Sequence, residues 1–429
     1  MRILDATDRQ AIRDFLSPQR VRDAETDRRV AEIVAEVREH GDEALLRYAR
    51  TFDRLEGDVE IPRTEMMAAA RSVPAPVRKA IRTAARNIRA VAKRQVPRGW
   101  KTRIAAGVTV EQRIVPLDRV GCYVPGGRYP LPSSLLMTAI PAAAAGVREI
   151  VVVCPRPDAV VMAAALEAGA SRLFRLGGAH AIAALAYGTE SVPRVDKIVG
   201  PGNRFVAAAK ALVASDCGID FYAGPTEIVI VASRGPAAWI AADLIAQAEH
   251  DPDARAVLIT PNRKLATQVS DAVEQQMPSD GPARESLGRH GAVIVTGSAR
   301  EAVELANLNA PEHLVLDDEK LAKQVRNAGS VFVGPWTAQV AGDYAIGSNH
   351  VLPTAGAARV RGGLSGADFV RQITVQRLTA KGLRTIAPSV VALARAEGLE
   401  GHARSIEIRV RRAGAAGVSV QRRRARQEQ

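Results

Sequence analysis

The sequence predicts an α/β protein with two Rossmann-like domains built on parallel sheets. Hydrophobic residues make up 47% of the 429 residues and aromatic residues only 4%, a composition typical of aliphatic strands packed against Ala-rich helices. Short Val/Ile runs alternate with Ala-rich segments along most of the chain. Such runs are expected where helices cover both faces of a parallel sheet. Small helical segments at both termini complete the predicted fold.

The N-terminal part is predicted to be helical. Residues 1–22 are interpreted as a leader segment. From Thr26 apolar residues recur at helical spacing as far as Gly41, which can end the helix. A second helix is predicted from Ala44, and a third starts at Pro76, a residue favoured in a first helical turn.

The aliphatic runs that follow predict two sets of strands. The first set comprises 108–114, 120–124, 149–154, 172–176, 197–199 and 228–232. The second set comprises 256–259, 292–295, 313–316 and 330–333. A helical segment over about 367–393 then precedes a basic tail.

Composition and charge exclude several classes of protein. The net charge is +13, but seven Arg and one Glu lie beyond residue 408, in a Gly/Ala/Arg tail predicted to be solvated and disordered. Nucleic-acid binding by this tail is the alternative, although it has no aromatic residue for base stacking. No apolar run could span a bilayer and no signal peptide is recognised, so a cytoplasmic protein with no membrane partner is expected. Three cysteines without ligand spacing argue against disulfides or a Cys-based metal site.

Three Gly-rich turns follow strands and open helices, at 125–127, 177–179 and 200–203. Free amides at such positions can bind a phosphate group. A dinucleotide is one candidate ligand, yet none of the turns matches G-x-G-x-x-G. Ordinary tight turns, which also use glycine, remain the alternative.

Polar residues cluster in the second half. Gln247 and His250 lie three apart at the predicted end of an apolar helix that begins near Trp239. The histidine could instead be a helix cap. Glu312 and His313 open a strand, where a carboxylate and an imidazole can share proton transfers if both lie at its irregular start; a surface pair is the alternative.

Further polar candidates lie near the end of the chain. Asp343 is predicted in a Gly-rich loop that precedes His350, and Glu397 and His402 flank two glycines. Together, the side chains of Gln247, His250, Asp343 and His402 would offer mixed oxygen and nitrogen ligands that suit zinc or a similar divalent ion. Their spacing alone does not group four such scattered residues into one site.

Eight motifs in order make the chain resemble the histidinol dehydrogenase family. They are VGCYVPGG (120–127), GGAHAIAALAYG (177–188), VDKIVGPGN (195–203), AGPTE (223–227), QAEH (247–250), APEH (310–313), AGDY (341–344) and SNHVLPT (348–354). The resemblance runs from about residue 25 to about residue 408. It implies a zinc- and NAD-dependent enzyme of histidine biosynthesis that oxidises L-histidinol to L-histidine through the aldehyde, in two hydride transfers.

The resemblance also implies the roles of individual residues. Glu312 would activate water and His313 would be the general base of the oxidation steps. The implied zinc ligands are Gln247, His250, Asp343 and His402. The implied substrate contacts are Thr226, Gln247, His250, His313, Asp343, Glu397 and His402. The implied NAD contacts are Tyr123, His180 and Asn203, although His180 stands where many family members carry Gln.

The family also implies a domain organisation and a partner. The expected parts are a leader (1–22), a discontinuous catalytic α/β domain (23–121 and 227–365), an NAD-binding α/β domain (122–226) and a helical C-terminal segment with the basic tail (366–429). A domain-swapped homodimer is implied, formed with the terminal helical segments, in which Glu397 and His402 reach the partner's site. Residues 128–131 also resemble sulfopropanediol dehydrogenases, so a related zinc- and NAD-dependent oxidation of another alcohol is the alternative function. A nucleic-acid binder without catalysis is a third interpretation.

Overall fold

The computed structural model describes residues 1–17, 23–126, 130–222 and 224–425, with side chains as far as residue 412. Two compact units are present: Met1–Val96 with Leu117–Phe369, and Pro97–Pro116 with the chain from Val370 onward. Gly127 and Ala223, each at the end of a sequence motif, and residues 128–129 of the segment 128–131 lie outside the described residues.

The strands and helices follow the alternation expected from the sequence. The strands are β1 Arg2–Asp5, β2 Trp100–Ala105, β3 Val108–Pro116, β4 Arg119–Tyr123, β5 Glu149–Val153, β6 Arg172–Phe174, β7 Lys197–Val199, β8 Gly218–Ile219, β9 Glu227–Val231, β10 Arg255–Thr260, β11 Ala292–Val295, β12 His313–Leu316, β13 Ser330–Val333 and β14 Val370–Leu378. The helices are α1 Arg9–Leu16, α2 Ala24–Tyr48, α3 Arg63–Ser72, α4 Ala75–Gln95, α5 Pro132–Ala145, α6 Ala159–Ala168, α7 Gly178–Tyr187, α8 Arg204–Val213, α9 Ala237–Ala248, α10 Arg263–Gln276, α11 Ala283–His290, α12 Ala299–Asn309, α13 Glu319–Ala322, α14 Gln339–Tyr344, α15 Ala380–Ala396 and α16 Glu400–Ala425. A π-helical turn, Ala49–Asp53, follows α2.

A six-stranded parallel sheet has the order β1-β11-β10-β9-β12-β13. α9, α10 and α11 cover one face, and α1, α12 and α13 cover the other. Every residue of β9, β10 and β11 is buried, which explains the continuous aliphatic runs. The expected leader is corrected here: residues 2–5 pair with β11 as an edge strand, which satisfies the outer hydrogen bonds of β11.

A five-stranded parallel sheet has the order β6-β5-β4-β7-β8. α2, α7 and α8 share a core with one of its faces, and α5 packs against the sheet as well as against α4 and α6. The N-terminal helix α2 therefore packs with the five-stranded sheet, and the predicted domain boundaries stay a prediction. The apolar face of α2 is buried by packing that sequence spacing does not specify. Gly41, with φ of 52°, interrupts α2 as predicted.

The second compact unit contains a small antiparallel sheet of order β14-β3-β2. Its strand β14 corrects the first part of the helix predicted over 367–393, since residues 370–378 pair one to one with β3. The second part of that prediction is confirmed by α15. Val370, Ile373, Thr374 and Val375 are β-branched and favour a strand. The predicted disordered tail is also corrected, because α16 continues to Ala425; Ala and Arg are good helix formers.

Two expectations about composition have structural counterparts. Among the described residues, no helix is long and apolar enough to cross a bilayer. Cys122, Cys154 and Cys217 are free and buried, in agreement with the absence of a predicted disulfide framework.

Candidate active site

The amino ends of two neighbouring strands bring polar residues together. β9 and β12 pair so that His313 lies opposite Ile228, which places Thr226 and Glu227 beside Glu312. Thr226 Oγ1 donates a 2.5 Å hydrogen bond to Glu312 Oε2, and the Glu227 backbone N–H donates a 2.9 Å bond to the same oxygen. Since β12 begins at His313, Glu312 precedes the strand, so adjacent side chains need not point to opposite faces of the sheet.

His313 has one nitrogen engaged and one available. Its Nδ1 lies 3.2 Å from the Glu227 carbonyl oxygen, an acceptor, so Nδ1 carries the proton. Its Nε2 is buried and has no hydrogen-bond partner among the described residues. Burial lowers the pKa of His313, because a charged imidazole is poorly solvated there. The ring is therefore neutral near pH 7, and Nε2 offers a lone pair.

Two neighbouring carboxyl groups are held in a dry environment. Burial raises the pKa of Glu312 to about 8, against the opposing effect of the hydrogen bonds from Thr226 and Glu227. Burial also raises the pKa of Glu227 to about 7, and its Oε1 has no partner among the described residues. A carboxyl group with a pKa near the working pH can exchange protons readily. The sequence analysis missed Glu227, although its position beside Thr226 in the AGPTE motif was a usable signal.

Gln247 lies within the last turn of α9 and His250 just beyond its end. The Gln247 side-chain amide donates a hydrogen bond to Thr226 Oγ1, whereas its Oε1 is buried without a partner among the described residues. His250 Nδ1 lies 3.0 Å from the Ala246 carbonyl oxygen and 3.2 Å from that of Gln247. His250 is therefore a helix cap, the alternative weighed from the sequence. Because capping keeps the proton on Nδ1, it also leaves Nε2 free to bind a metal.

Asp343 belongs to the short helix α14 rather than to the predicted loop. Gln339, one turn earlier, donates a 2.7 Å hydrogen bond to Asp343 Oδ2, and Asp343 Oδ1 lies 3.8 Å from His313 Nε2. Burial raises the pKa of Asp343. Gln339 was missed from the sequence, although its spacing of four from Asp343 places the two on one helix face.

His350 also belongs to this cluster. Its Nδ1 lies 3.0 Å from the Asp343 carbonyl oxygen, and its Nε2 lies 3.4 Å from Ser134 Oγ on α5. Burial lowers the pKa of His350 to about 4, so the ring is neutral. The Gly-rich sequence around residues 341–350 had marked this region as a candidate site.

Unpaired acceptor atoms make this cluster suitable for a cation. Gln247 Oε1, His250 Nε2 and the Asp343 carboxylate combine an amide oxygen, an imidazole nitrogen and a carboxylate, which zinc accepts. Within the part of the chain that the structure describes, no three His, Cys, Asp or Glu side chains form a metal-binding group. Only two of the four implied zinc ligands, His250 and Asp343, are His, Cys, Asp or Glu residues of the first unit. The third, Gln247, is a glutamine, and the fourth, His402, belongs to the second unit.

Glu397 and His402 belong to the second unit. Glu397 caps the end of α15 and His402 lies in the first turn of α16. Both are exposed, and neither side chain has a hydrogen bond or ion pair within the described residues. They are available to a ligand or to another chain.

The candidate dinucleotide residues lie around the carboxyl edge of the five-stranded sheet. The strand order reverses between β4 and β7, because the chain proceeds from β4 to β5 and β6 before returning to β7. Ligands of open parallel sheets bind at such a switch point. Tyr123 ends β4, and Asn203 begins α8 after β7. The two strand ends are in close contact, since a Cβ atom at Gly200 would lie 2.1 Å from the Tyr123 carbonyl oxygen.

Internal carboxylates occupy two of the Gly-rich turns. Asp53 Oδ2 accepts hydrogen bonds of 2.8 Å from the Gly177 N–H and from His180 Nε2. Asp220 Oδ2 accepts one of 2.7 Å from the Gly200 N–H. The Gly177 and Gly200 amides are therefore not free for a phosphate, and phosphate binding by the other amides of the two turns stays a prediction. The third turn extends into residue 127, outside the described residues.

The NAD candidates differ in accessibility. His180 is 1% exposed and Tyr123 is 4% exposed, whereas Asn203 is exposed. Asn203 Oδ1 accepts hydrogen bonds from Phe205 N and Val206 N at the start of α8, so its amide N–H groups remain available to donate. Asn203 is thus the member of the set with an accessible donor.

Comparisons with known proteins agree over nearly the whole chain. The family model described as histidinol dehydrogenase matches residues 17–410. The histidinol dehydrogenase of Acinetobacter baylyi is 43% identical over 94% of this chain and 98% of its own length, and that of Methanothermobacter thermautotrophicus is 46% identical over 89% and 93%. A crystal structure of histidinol dehydrogenase from Elizabethkingia anophelis superposes with a TM-score of 0.92, at 31% identity, over 96% of this chain and 99% of that one.

Proposed function

This chain belongs to the histidinol dehydrogenase family, and from that premise we propose that it oxidises L-histidinol to L-histidine through the aldehyde. The observation that carries the proposal is the buried Nε2 of His313, which has no hydrogen-bond partner among the described residues, on a ring whose Nδ1 lies 3.6 Å from Glu312 Oε2. Oxidation of an alcohol to an acid removes two hydrides, adds one water and releases several protons. An adjacent imidazole and carboxyl group can carry those protons.

His313 acts as the general base of both oxidation steps. Its Nδ1–H is fixed by the Glu227 carbonyl group, so the incoming proton is accepted at Nε2. The ring is neutral before the reaction because burial lowers its pKa. Each hydride removal is thus accompanied by transfer of the hydroxyl proton to His313.

Glu312 takes the proton of the water that adds to the aldehyde. The Thr226 hydroxyl and the Glu227 N–H both bond Oε2, which holds the carboxylate in one orientation. Its raised pKa makes the ionised form a stronger base than an ordinary glutamate.

Zinc would be held by Gln247, His250 and Asp343, with His402 as the fourth ligand. The free Oε1 of Gln247 and the tautomer of His250 support this assignment. Zinc, when bound, would orient the substrate through its imidazole and amino nitrogen atoms. Thr226 and Glu397 are assigned to substrate binding along with the ligands and His313.

NAD would bind at the switch point of the five-stranded sheet and supply the hydride acceptor for both steps. We assign Tyr123, His180 and Asn203 to this site. The position of Tyr123 and Asn203 at the two strand ends that flank the reversal of strand order supports the assignment. His180 holds Asp53, which in turn holds the Gly177 turn, so its contribution is to position that turn.

A domain-swapped homodimer would bring Glu397 and His402 to the site of the partner subunit. The exposure of both side chains and the absence of any partner for them within the described residues support this arrangement. A cytoplasmic location is further proposed, because buried free thiols are typical of a reducing compartment.

The decisive experiment is to follow NADH production by zinc-loaded, full-length protein with limiting L-histidinol. Two NADH per histidinol, with histidine as the product, are expected. No NADH from a folded, zinc-loaded sample would overturn the proposed substrate. One NADH with accumulation of the aldehyde would overturn the assignment of the second step to this site.

A further inference from the structure

A cavity of about 330 Å³ lies at the carboxyl edge of β5 and β6 and is lined by three arginines, Arg54, Arg156 and Arg175. Arg156 follows β5, Arg175 follows β6, and Arg54 follows the π-helical turn. Three separate chain segments thus converge on one cavity with guanidinium groups. This arrangement is suited to an anion with several oxygen atoms.

Two of these guanidinium groups are uncommitted. Arg54 and Arg156 are exposed, and neither has a side-chain hydrogen bond or ion pair within the described residues. Arg175 is held in place by the Asp58 carbonyl oxygen and by the Glu65 carboxylate. Glu65 thus neutralises Arg175, while Arg54 and Arg156 remain unpaired.

Two carboxylates also line the cavity, Glu56 and Asp158. Asp158 Oδ1 accepts a 2.9 Å hydrogen bond from the Val161 N–H and so caps α6. That bond directs one Asp158 oxygen to the helix. Since Glu65 neutralises Arg175, the two remaining arginines, Arg54 and Arg156, face Glu56 and the partly engaged Asp158 across the cavity.

Arg54 has an unusual backbone conformation. Its φ of 56° is in the left-handed region, which non-glycine residues seldom adopt. The preceding π-helical turn Ala49–Asp53 is itself a rare conformation, found often at functional sites. Asp53 fixes this turn through its bonds to Gly177 and His180, so Arg54 is held at the cavity by a structured segment.

Pro155 connects the cavity to the proposed dinucleotide site. It lines the cavity and packs against the backbone of two turns, because a Cβ atom would lie 2.1 Å from Pro155 Cγ at Gly126 and 2.8 Å from Pro155 Cβ at Gly177. Gly126 follows β4, whose end is one side of the switch point. Since neighbouring strands lie about 4.8 Å apart, the cavity is within the reach of a dinucleotide bound there.

We propose that Arg54, Arg156 and Arg175 form a binding site for a phosphate group. The group can be supplied by the ribose 2′-phosphate of NADP, which arginines near the ribose accommodate in other dinucleotide sites, or by free phosphate. The first source rests on the proposed dehydrogenase function; the second does not. The internal bonds of the Gly177 and Gly200 amides favour a side-chain site of this kind over a backbone cradle.

The test uses full-length, zinc-loaded protein with the double substitution Arg54→Gln and Arg156→Gln. Folding should be unaffected because neither side chain has a hydrogen-bond or ion-pair partner in the described part of the chain. Arg82→Gln, an exposed arginine of α4 that does not line the cavity, is the matched control. Calorimetric titrations with inorganic phosphate, with 2′-AMP and with adenosine measure binding, and steady-state kinetics with L-histidinol measure KM for NAD and for NADP.

We expect the double variant to bind phosphate and 2′-AMP about tenfold or more weakly, with adenosine binding unchanged, because two charge-assisted contacts are lost. For the NADP source, KM for NADP should rise while KM for NAD stays constant. Arginine-dependent phosphate binding with no effect on NADP would overturn the NADP source and identify free phosphate. Binding of phosphate and 2′-AMP that does not respond to the double substitution would overturn the site altogether. The NAD-dependent rate of the same samples reports on the proposed function separately.

Discussion

The hydroxyl group of Thr226 lies 2.5 Å from Oε2 of Glu312, although the two residues are 86 positions apart in the chain. The same hydroxyl accepts a hydrogen bond from the Gln247 side chain. Thr226 therefore connects the carboxyl group assigned to water activation with a proposed zinc ligand. This short chain of bonds couples the orientation of Glu312 to that of Gln247.

Thr226→Val should lower kcat about tenfold or more, because Val has the same shape but cannot bond the charged Glu312. Loss of the bond should also raise the pKa of Glu312 further, so the acidic limb of the kcat profile should move to higher pH. Thr226→Ser retains the hydroxyl and is the control. An unchanged pH profile for Thr226→Val would contradict the coupling between the two side chains.

His313→Asn should reduce turnover by about a hundredfold or more, the usual contribution of a general base, while zinc content and thermal unfolding stay close to those of the wild type. Within the described residues, His313 makes no hydrogen bond to a side chain that is proposed to bind zinc, and its Nε2 lies 3.8 Å from Asp343 Oδ1. The zinc ligands should therefore keep their positions. His40→Asn, at an exposed position, controls for the substitution itself. Turnover that survives His313→Asn would remove His313 from the mechanism.

The free energy of unfolding of zinc-free protein should fall between pH 6.5 and pH 8.5. Glu312 and Glu227 have folded-state pKa values of about 8 and about 7, above the value near 4.5 of the unfolded chain. The folded state therefore retains protons that the unfolded state releases, and this stabilisation is lost as the pH rises through the folded-state values. His350, with a pKa of about 4, is already neutral throughout this range.

Glu312→Gln should flatten this dependence by about 2 kcal/mol, because the amide cannot ionise. Chemical denaturation at several pH values measures the effect, with Glu285→Gln at an exposed helix position as the control. An equal slope in Glu312→Gln and wild type would show that Glu312 ionises in the folded state at its ordinary pKa.

His250→Ala and His402→Ala should each lower zinc content and histidinol turnover when prepared alone. If His402 serves the partner's site, a mixed dimer contains one intact site and one doubly altered site. Co-expression with two affinity tags should then restore about half of the wild-type activity per dimer. Mixed dimers that contain both chains but remain inactive would refute sharing of the site between subunits.

Nine of the eleven strands of the two large sheets could be predicted from the sequence alone, within two residues, whereas β1 and β8 could not. The run at 228–232 was grouped with the first set of strands, but β9 pairs with β10 and β12 of the second set. The burial of such strands on both faces requires continuous aliphatic runs such as 228–231, and that requirement is local. Glu312 and His313 are adjacent in the sequence, so they too could be recognised as a candidate pair. The family resemblance supplied their roles, together with those of the scattered zinc and substrate residues.

Only the tertiary structure decided which of these elements meet. The pairing of β9 with β12 joins Thr226 to Glu312, and nothing in the spacing of either strand indicates the other. Pairing also made strands of residues 2–5 and 370–378, whose sequences predicted a leader and a helix. The Asp53 carboxylate, at the end of the π-helical turn, accepts a hydrogen bond from the Gly177 N–H. The two residues are far apart in the sequence, so no local pattern could reveal this contact. Secondary structure follows from the preferences of a few neighbouring residues, whereas these contacts exist because buried polar groups must find partners wherever the packed chain provides them.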